Sequence, residues 1–212
     1  MRLYKLNDRA ISVKGNAAGF LNGITSNTLE APLNAFLNQH GRIIATFRQE
    51  RINDDAFMLY VPGIAVDNLL KHLDRYAKLS RVSLTLIDHP VYMDIESMRM
   101  VMPPDHQSNG VTDDEFTLFR LNNSIPLMGI DYQANEFILN VHELEYVSYT
   151  KGCFLGQEPV AKVHNRSHPT RTLVVRFKDE CTPEEQLKMT SMIEDPFQGK
   201  LKGFVFVGHQ VS

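Results

Sequence analysis

Apolar residues recur at Val66, Leu69, Leu70, Leu73, Tyr76 and Ala77, a spacing that places them on one face of a helix. Lys71, Asp74, Arg75 and Lys78 fall on its opposite, solvated face. Directly afterwards Val82, Leu84 and Leu86 alternate with Arg81, Ser83 and Thr85, which predicts a half-buried strand because successive strand side chains point to opposite faces. Upstream, Gly41-Arg42-Ile43-Ile44-Ala45-Thr46-Phe47-Arg48 reads as a strand. Ala56-Phe57-Met58-Leu59-Tyr60-Val61 is its antiparallel partner across the turn-forming Asn53-Asp54-Asp55. Ala17 to Thr25 reads as a short helical turn containing Gly23.

Farther along, the pattern predicts an exposed, turn-rich loop over residues 103–115 and a strand at Phe116-Thr117-Leu118-Phe119-Arg120-Leu121. A helix starts at Thr182-Pro183-Glu184-Glu185, with a capping Thr and Pro at the first helical position, and Leu187, Met189, Met192 and Ile193 give it an apolar side. Phe204-Val205-Phe206-Val207 is short enough for a buried strand. Strands are joined mostly by turns and only occasionally by helices, which predicts an α+β fold with mostly antiparallel sheets.

Composition narrows the function classes. The 212 residues are 43% hydrophobic and 22% charged, enough for a real core and unlike a fibre or a disordered tail. With 22 basic against 25 acidic residues the net charge is −3, so no global basic field holds a polyanion, and no direct nucleic-acid partner is expected. No apolar run approaches the roughly 18–20 residues that span a bilayer, and the N-terminal residues turn polar by Asn7-Asp8, so a cytoplasmic protein without a membrane partner is expected. Cys153 and Cys181 are too few for a disulfide scaffold and read as free thiols.

Candidate chemistry concentrates between Tyr149 and Arg171. Gly152 and Gly156 flank Cys153 and permit close approach of another group to the main chain. Lys151 precedes the sulfur, and Lys162, His164, Arg166, His168 and Arg171 follow, an electropositive setting for a thiol nucleophile. Gln157 and Glu158 add polar groups able to read the edge of a heterocycle. Other readings compete. A lone cysteine is more often a small buried hydrophobe. His164 and His168 share a metal-like spacing, but Ser167 and Pro169 oppose a helix there and no further ligands follow at metal spacing, so no metal is expected. A Cys–His hydrolase would need His164 brought to Cys153 in space. Arg42 and Arg48 sit six apart on one strand, hence on one face, with Arg51 on the same hairpin.

Lys151-Gly152-Cys153-Phe154-Leu155-Gly156-Gln157-Glu158 resembles the signature of the YgfZ folate-binding proteins, relatives of the glycine-cleavage aminomethyltransferase GcvT. Phe20-Leu21-Asn22-Gly23-Ile24-Thr25-Ser26-Asn27 resembles an N-terminal motif of that family, and Gly41-Arg42-Ile43-Ile44-Ala45 one of its strands. Arg120 with Ile125-Pro126 is similar to a third stretch, without its glycine. The resemblance implies α+β subdomains around a central channel that holds tetrahydrofolate, spanning residues 1–172, with a remodelled or truncated C-terminal segment over 173–212. It implies a folate-binding accessory factor in the assembly or repair of iron–sulfur client proteins, tRNA-modifying radical enzymes among them. A folate-dependent aminomethyl or one-carbon transferase is the alternative. By the same comparison Cys153 is the reactive residue, and Asn27, Arg120, Lys151, Gly152, Gln157 and Glu158 bind tetrahydrofolate or a derivative.

The chain departs from that family at three places. The acid of the N-terminal motif falls on Asn27, whose amide pairs with a pterin edge but cannot act as a carboxylate base, and this disfavours aminomethyl transfer. Glu136-Phe137-Ile138-Leu139 stands where the family usually has a Pro and an acid. The stretch after Arg171 is shorter than the family's C-terminal β-barrel.

Overall fold

The computed structural model describes residues 1–102, 110–141, 143–166 and 168–208. In chain order they form β1 (Leu3–Lys5), β2 (Asp8–Gly15), α1 (Ala17–Ile24), β3 (Leu33–Leu37), β4 (Ile43–Asn53), β5 (Ala56–Pro62), α2 (Val66–Ser80), β6 (Val82–Ile87), β7 (Tyr92–Asp94) and β8 (Arg99–Val101). There follow α3 (Asp113–Asn122), α4 (Glu143–Tyr146), α5 (Gln157–Arg166), β9 (Arg171–Phe177), α6 (Pro183–Lys188), β10 (Thr190–Glu194) and β11 (Leu201–Gly208). The fold is α+β, and its named strands pair antiparallel throughout.

A five-stranded sheet, in the order β3-β4-β5-β2-β6, organises the molecule. One of its faces carries Ile11, Val13, Phe57, Leu59 and Val61, which pack with Val66, Leu69 and Leu73 of α2 in the main core. Leu69 and Leu73 are fully buried, each contributing about 1.5–3 kcal/mol relative to an exposed position. The register decides what the other face carries. Arg48 pairs with Tyr60 and Tyr60 with Ala10, so these three share one side. Two residues along their strands, Thr46 and Asp8 return to that same side. It faces a smaller sheet, β1-β7-β8, and the segment 125–132.

The hairpin β4–β5, helices α1 and α2, and strand β6 form where the hydrophobic pattern places them. Phe116–Leu121 does not: it lies in α3, a helix. Thr112 accepts from the Glu115 backbone N–H while the Glu115 carboxylate accepts from the Thr112 N–H, a reciprocal cap, and Asp113, Asp114 and Glu115 favour the positive end of the helix. That cap overrides the strand preference of the Phe-Thr-Leu-Phe run. Of the loop expected over 103–115, residues 103–109 lie outside the described residues and 113–115 form the first turn of α3.

Helix α6 starts at the expected Thr182 cap but ends at Lys188, and Leu187 is exposed rather than apolar packing. Met192 and Ile193 belong to β10, which pairs with β11. β11 is the centre of a third sheet, β10-β11-β9. The segment holding His164 is helical as well, contrary to expectation. Pro159 falls in the first turn of α5, where its missing N–H costs no hydrogen bond, and the helix stops at Arg166 before Pro169 can interfere. Among the described residues no helix is long and apolar enough to cross a membrane.

Candidate functional site

A hollow of about 270 Å³ lies between the Asp8 face of the five-stranded sheet, β1 and the 125–130 segment. Asp8, Thr46, Arg48, Tyr60, Tyr132 and Tyr146 supply its polar groups, and Leu6, Leu33, Met93, Ile125 and Met128 are among its apolar wall. The size sits just below the roughly 300 Å³ at which ligand pockets begin, room for one flat bicyclic ring with its substituents outside.

Asp8 stands out electrostatically. Among the described residues its carboxylate has no hydrogen bond or ion pair within 4 Å. Burial pushes its pKa up to about 6, with the Arg48 charge pulling in the other direction. The surrounding phenols stay neutral. Burial raises Tyr60 and Tyr146 to about 12 and Tyr132 well above its ordinary value. Tyr132 and Thr46 share a hydroxyl–hydroxyl bond of 2.6 Å, and Tyr60 donates to Glu50 at 3.2 Å. The hollow therefore offers one unpaired acceptor group, one guanidinium and aromatic walls.

The residues singled out in the sequence sit elsewhere, and none of the seven lines this hollow. Asn27 is buried; its amide donates to the carbonyls of Leu33 and Glu145, and its Oδ1 accepts from the Thr28 N–H. Lys151 reaches the same loop, its Nζ donating to the carbonyls of Thr25 and Asn27 at 2.6 and 2.8 Å, and burial lowers its pKa to about 8. These two residues are thus brought together one layer behind Leu33 and Tyr146 of the hollow's wall. Arg120 is remote from them, buried and paired with Asp131.

Gly152 and Cys153 are exposed on the loop before α5, and a Cβ on Gly152 would meet open space. Gln157 and Glu158 open α5, with Glu158 in its first turn. Gly156 is a joint. Its φ is +83°, and a Cβ there would overlap the Asn38 carbonyl oxygen and come 3.3 Å from the Gly41 nitrogen. Gly41, at φ +71°, in turn leaves no room beside Val160 and Phe137. The glycines of two motifs far apart in sequence therefore meet, docking α5 on the β3–β4 turn. His164 stacks on Tyr149 with ring centres 3.7 Å apart. Among the described residues no group of three or more His, Cys, Asp or Glu is placed to hold a metal ion.

The two thiols differ in access, since Cys153 is exposed and Cys181 is buried, with its pKa raised chiefly by burial. Iodoacetamide is expected to label Cys153 at least tenfold faster than Cys181, because only accessible thiolate reacts. Peptide mass mapping over a time course reads this directly, and equal rates would show that the loop covers the sulfur in solution.

Sequence reasoning missed Asp8, Tyr132 and Tyr146. Asp8 showed only as the polar end of the N-terminal segment, and nothing local distinguishes it from a surface acid. Arg42 and Arg48 share a strand face in the sequence reading, but of the two only Arg48 lines the hollow; Arg42 is exposed and donates to the Asn135 carbonyl.

No family model matches the chain. A protein of Haemophilus influenzae described only as uncharacterized is 26% identical over 177 residues, which is 73% of this chain and 62% of that protein, so the chain spans less than two thirds of that relative's length. Among solved structures, aminomethyltransferase T of the glycine cleavage system from Bartonella henselae superposes over 97% of this chain and 78% of its own, with a TM-score of 0.77 at 13% identity. The two proteins share a fold.

Proposed function

We propose that the Asp8 hollow binds the pterin ring of tetrahydrofolate or a close derivative. The observation that carries this reading is the unpaired carboxylate at the hollow's polar end. A pterin presents two adjacent N–H donors on one edge, and a carboxylate accepts such a pair with both oxygens. Tyr60, Tyr132 and Tyr146 supply aromatic surface for the ring. The fold shared with an aminomethyltransferase supports the same ligand class. In this reading Asp8, rather than Asn27, meets the ring. Asn27 and Lys151 hold the wall behind it, and Arg120 positions the 125–131 segment through Asp131.

The protein acts as a tetrahydrofolate-binding accessory factor for iron–sulfur client proteins. The support is the Lys151–Glu158 segment, similar to that of the YgfZ branch, together with the exposure of Cys153 on a loop where a client can reach it. A second reading, folate-dependent aminomethyl transfer, has one observation in its favour. Asp8 restores a carboxylate to the site, titrating close enough to neutrality to take a proton.

Titration with tetrahydrofolate distinguishes these readings. The chain has 7 Tyr and no Trp, so tyrosine emission reports the hollow, which four of them line. Saturable quenching with Kd on the order of micromolar, one folate per chain by native mass spectrometry, and no one-carbon transfer from an aminomethyl donor are expected. Saturable transfer would establish the enzyme reading. An unchanged spectrum and melting temperature at millimolar ligand would remove folate altogether.

A further inference from the structure

We propose that strand β6 is a dimerisation edge, which pairs antiparallel with β6 of a second copy of this chain. β6 closes one end of the five-stranded sheet, with β2 beside it. The register shows which of its backbone groups remain free. Gly63 N–H donates to the Asn7 carbonyl and Gly15 N–H to the Asp55 carbonyl, so the odd residues of β2 turn their backbone groups toward β5. The even ones, Ala10, Ser12 and Lys14, therefore bond Ile87, Thr85 and Ser83. The N–H and C=O groups of Val82, Leu84 and Leu86 point away from the sheet, and among the described residues no hydrogen bond meets them. Their side chains lie on the α2 face, Leu84 beside Val13 and Leu86 beside Ile11. Leu84 is only partly buried there, and Leu86 is 40% exposed.

A free row of peptide groups recruits another strand unless the edge is short, charged, bulged or covered. The other edges of this fold are protected in those ways. β1 and β8 have three residues each, β9 carries Arg171 and Arg176, and β10 shifts register and holds Ser191 at positive φ. β3 is covered, since the Ala35 carbonyl accepts from the N–H and the hydroxyl of Ser26. β6 has six residues with no charge, no proline and no register shift.

The edge complements itself. A two-fold axis through Leu84 sets Leu84 against Leu84, Val82 against Leu86 and Ser83 against Thr85, so apolar side chains meet on the α2 face and hydroxyls on the other. Every outward N–H then meets an outward C=O. Charge fixes the direction of pairing. Arg81 precedes the strand and Asp88 follows it, so each end of the joint ladder brings Arg81 of one copy next to Asp88 of the other. Asp88 is fully exposed, with a contact of 3.5 Å to Arg9, and Arg81 has no ion pair among the described residues. A parallel arrangement would set like charges together instead.

Sedimentation velocity and amide exchange on the full chain test this. Between about 1 and about 500 µM the sedimenting mass is expected to rise toward twice that of one chain, as befits an interface of one strand pair. Over the same range, exchange at Val82, Leu84 and Leu86 should slow by about tenfold or more, while the amides of Ser83, Thr85 and Ile87, bonded to β2, stay protected throughout. Leu86→Lys sets an ammonium beside Val82 of the second copy and should weaken the dimer by about tenfold or more. Its melting temperature in dilute solution should match the parent's; should it not, the exchange of the parent amides decides alone. Arg81→Glu should weaken the dimer about fivefold, and adding Asp88→Arg should bring it back within about twofold of the parent. A chain that stays monomeric at the highest concentration overturns the proposal. So does protection of the three outward amides in dilute protein, which would mean that the chain covers its own edge. A dimer indifferent to Leu86→Lys and to the charge exchange overturns it too, because its interface lies elsewhere.

Discussion

Asp8→Asn is expected to melt higher than the parent and to lose tetrahydrofolate. Among the described residues the half-buried carboxylate has no hydrogen bond, and burial pushes its pKa up to about 6 from its ordinary value of 3.8. Between those two values the folded protein keeps a proton that the unfolded chain has released. Stability therefore falls as pH rises from about 4 to about 6 and stays at its lower level above that. At 1.36 kcal/mol per unit, the charge costs on the order of 2–3 kcal/mol at neutral pH. An amide of the same shape removes that cost, and a gain of about 4–10 °C in Tm follows for a chain of this size. The gain should vanish near pH 4, where the parent carboxyl is itself neutral.

Binding moves in the opposite direction. The amide offers one acceptor in place of two and turns a donor toward ring N–H groups, so the affinity should drop by roughly 100-fold, the worth of two charge-assisted bonds. For the same reason parent affinity should weaken as pH falls through about 6. Stability gained where function is lost marks a site held in strain for its ligand. Calorimetry of both proteins between pH 4 and 8, alongside titration at pH 7, measures the two effects. A variant that melts lower at pH 7, or binds as the parent does, contradicts the assignment.

Asp131→Ala is expected to lower stability by about 3–5 kcal/mol, the usual consequence of stranding one partner of a buried ion pair. Asp131 accepts three further bonds: Leu127 N–H at 2.8 Å, Thr190 Oγ1 at 2.7 Å and Ser191 Oγ at 2.6 Å converge on the carboxylate that Arg120 Nη1 meets at 2.7 Å. Arg120 in turn donates to Ser191 Oγ at 2.7 Å. This cluster ties the wall of the hollow to α3 and to β10, where Ser191 holds a left-handed φ of +51° that an isolated serine disfavours. Without the carboxylate a guanidinium remains buried and unpaired. A fall in Tm of about 10 °C or more follows, and Arg120→Met added to Asp131→Leu should recover most of it because the stranded charge is gone. Folate affinity of the double variant tests whether the 125–130 wall keeps its shape. Thermal melts of the three proteins decide the matter, and an Asp131→Ala protein within 2 °C of the parent, well under the roughly 10 °C expected, would show that the pair contributes little.

Much of the fold was legible because its elements are locally over-determined. The α2 stripe, the β4–β5 turn and the β6 alternation each repeat one period over several residues, and burial of the marked face leaves a single register available. Phe116–Leu121 has the aromatic and β-branched composition of a strand, but the Thr112–Glu115 cap just before it starts a helix. The apolar Leu187 to Ile193 run shows the converse, a local pattern divided by a distant partner. Its first half follows a cap and its second pairs with β11, a partner that local pattern does not reveal.

The sequence by itself determined the α+β class, the main hairpin and helix, the two free thiols, and a loop signature at Lys151–Glu158 whose glycine proves to be a packing joint. Only the tertiary structure decided where the Asp8 hollow lies. Asp8 sits 40 residues before Arg48 in the chain and still farther from Tyr132 and Tyr146, and each looks ordinary among its neighbours. Strand register places the first two on one face, and the 125–132 segment closes over them. Burial then makes an unremarkable acid an unpaired charge, a property set by distance and dielectric and carried by no residue alone.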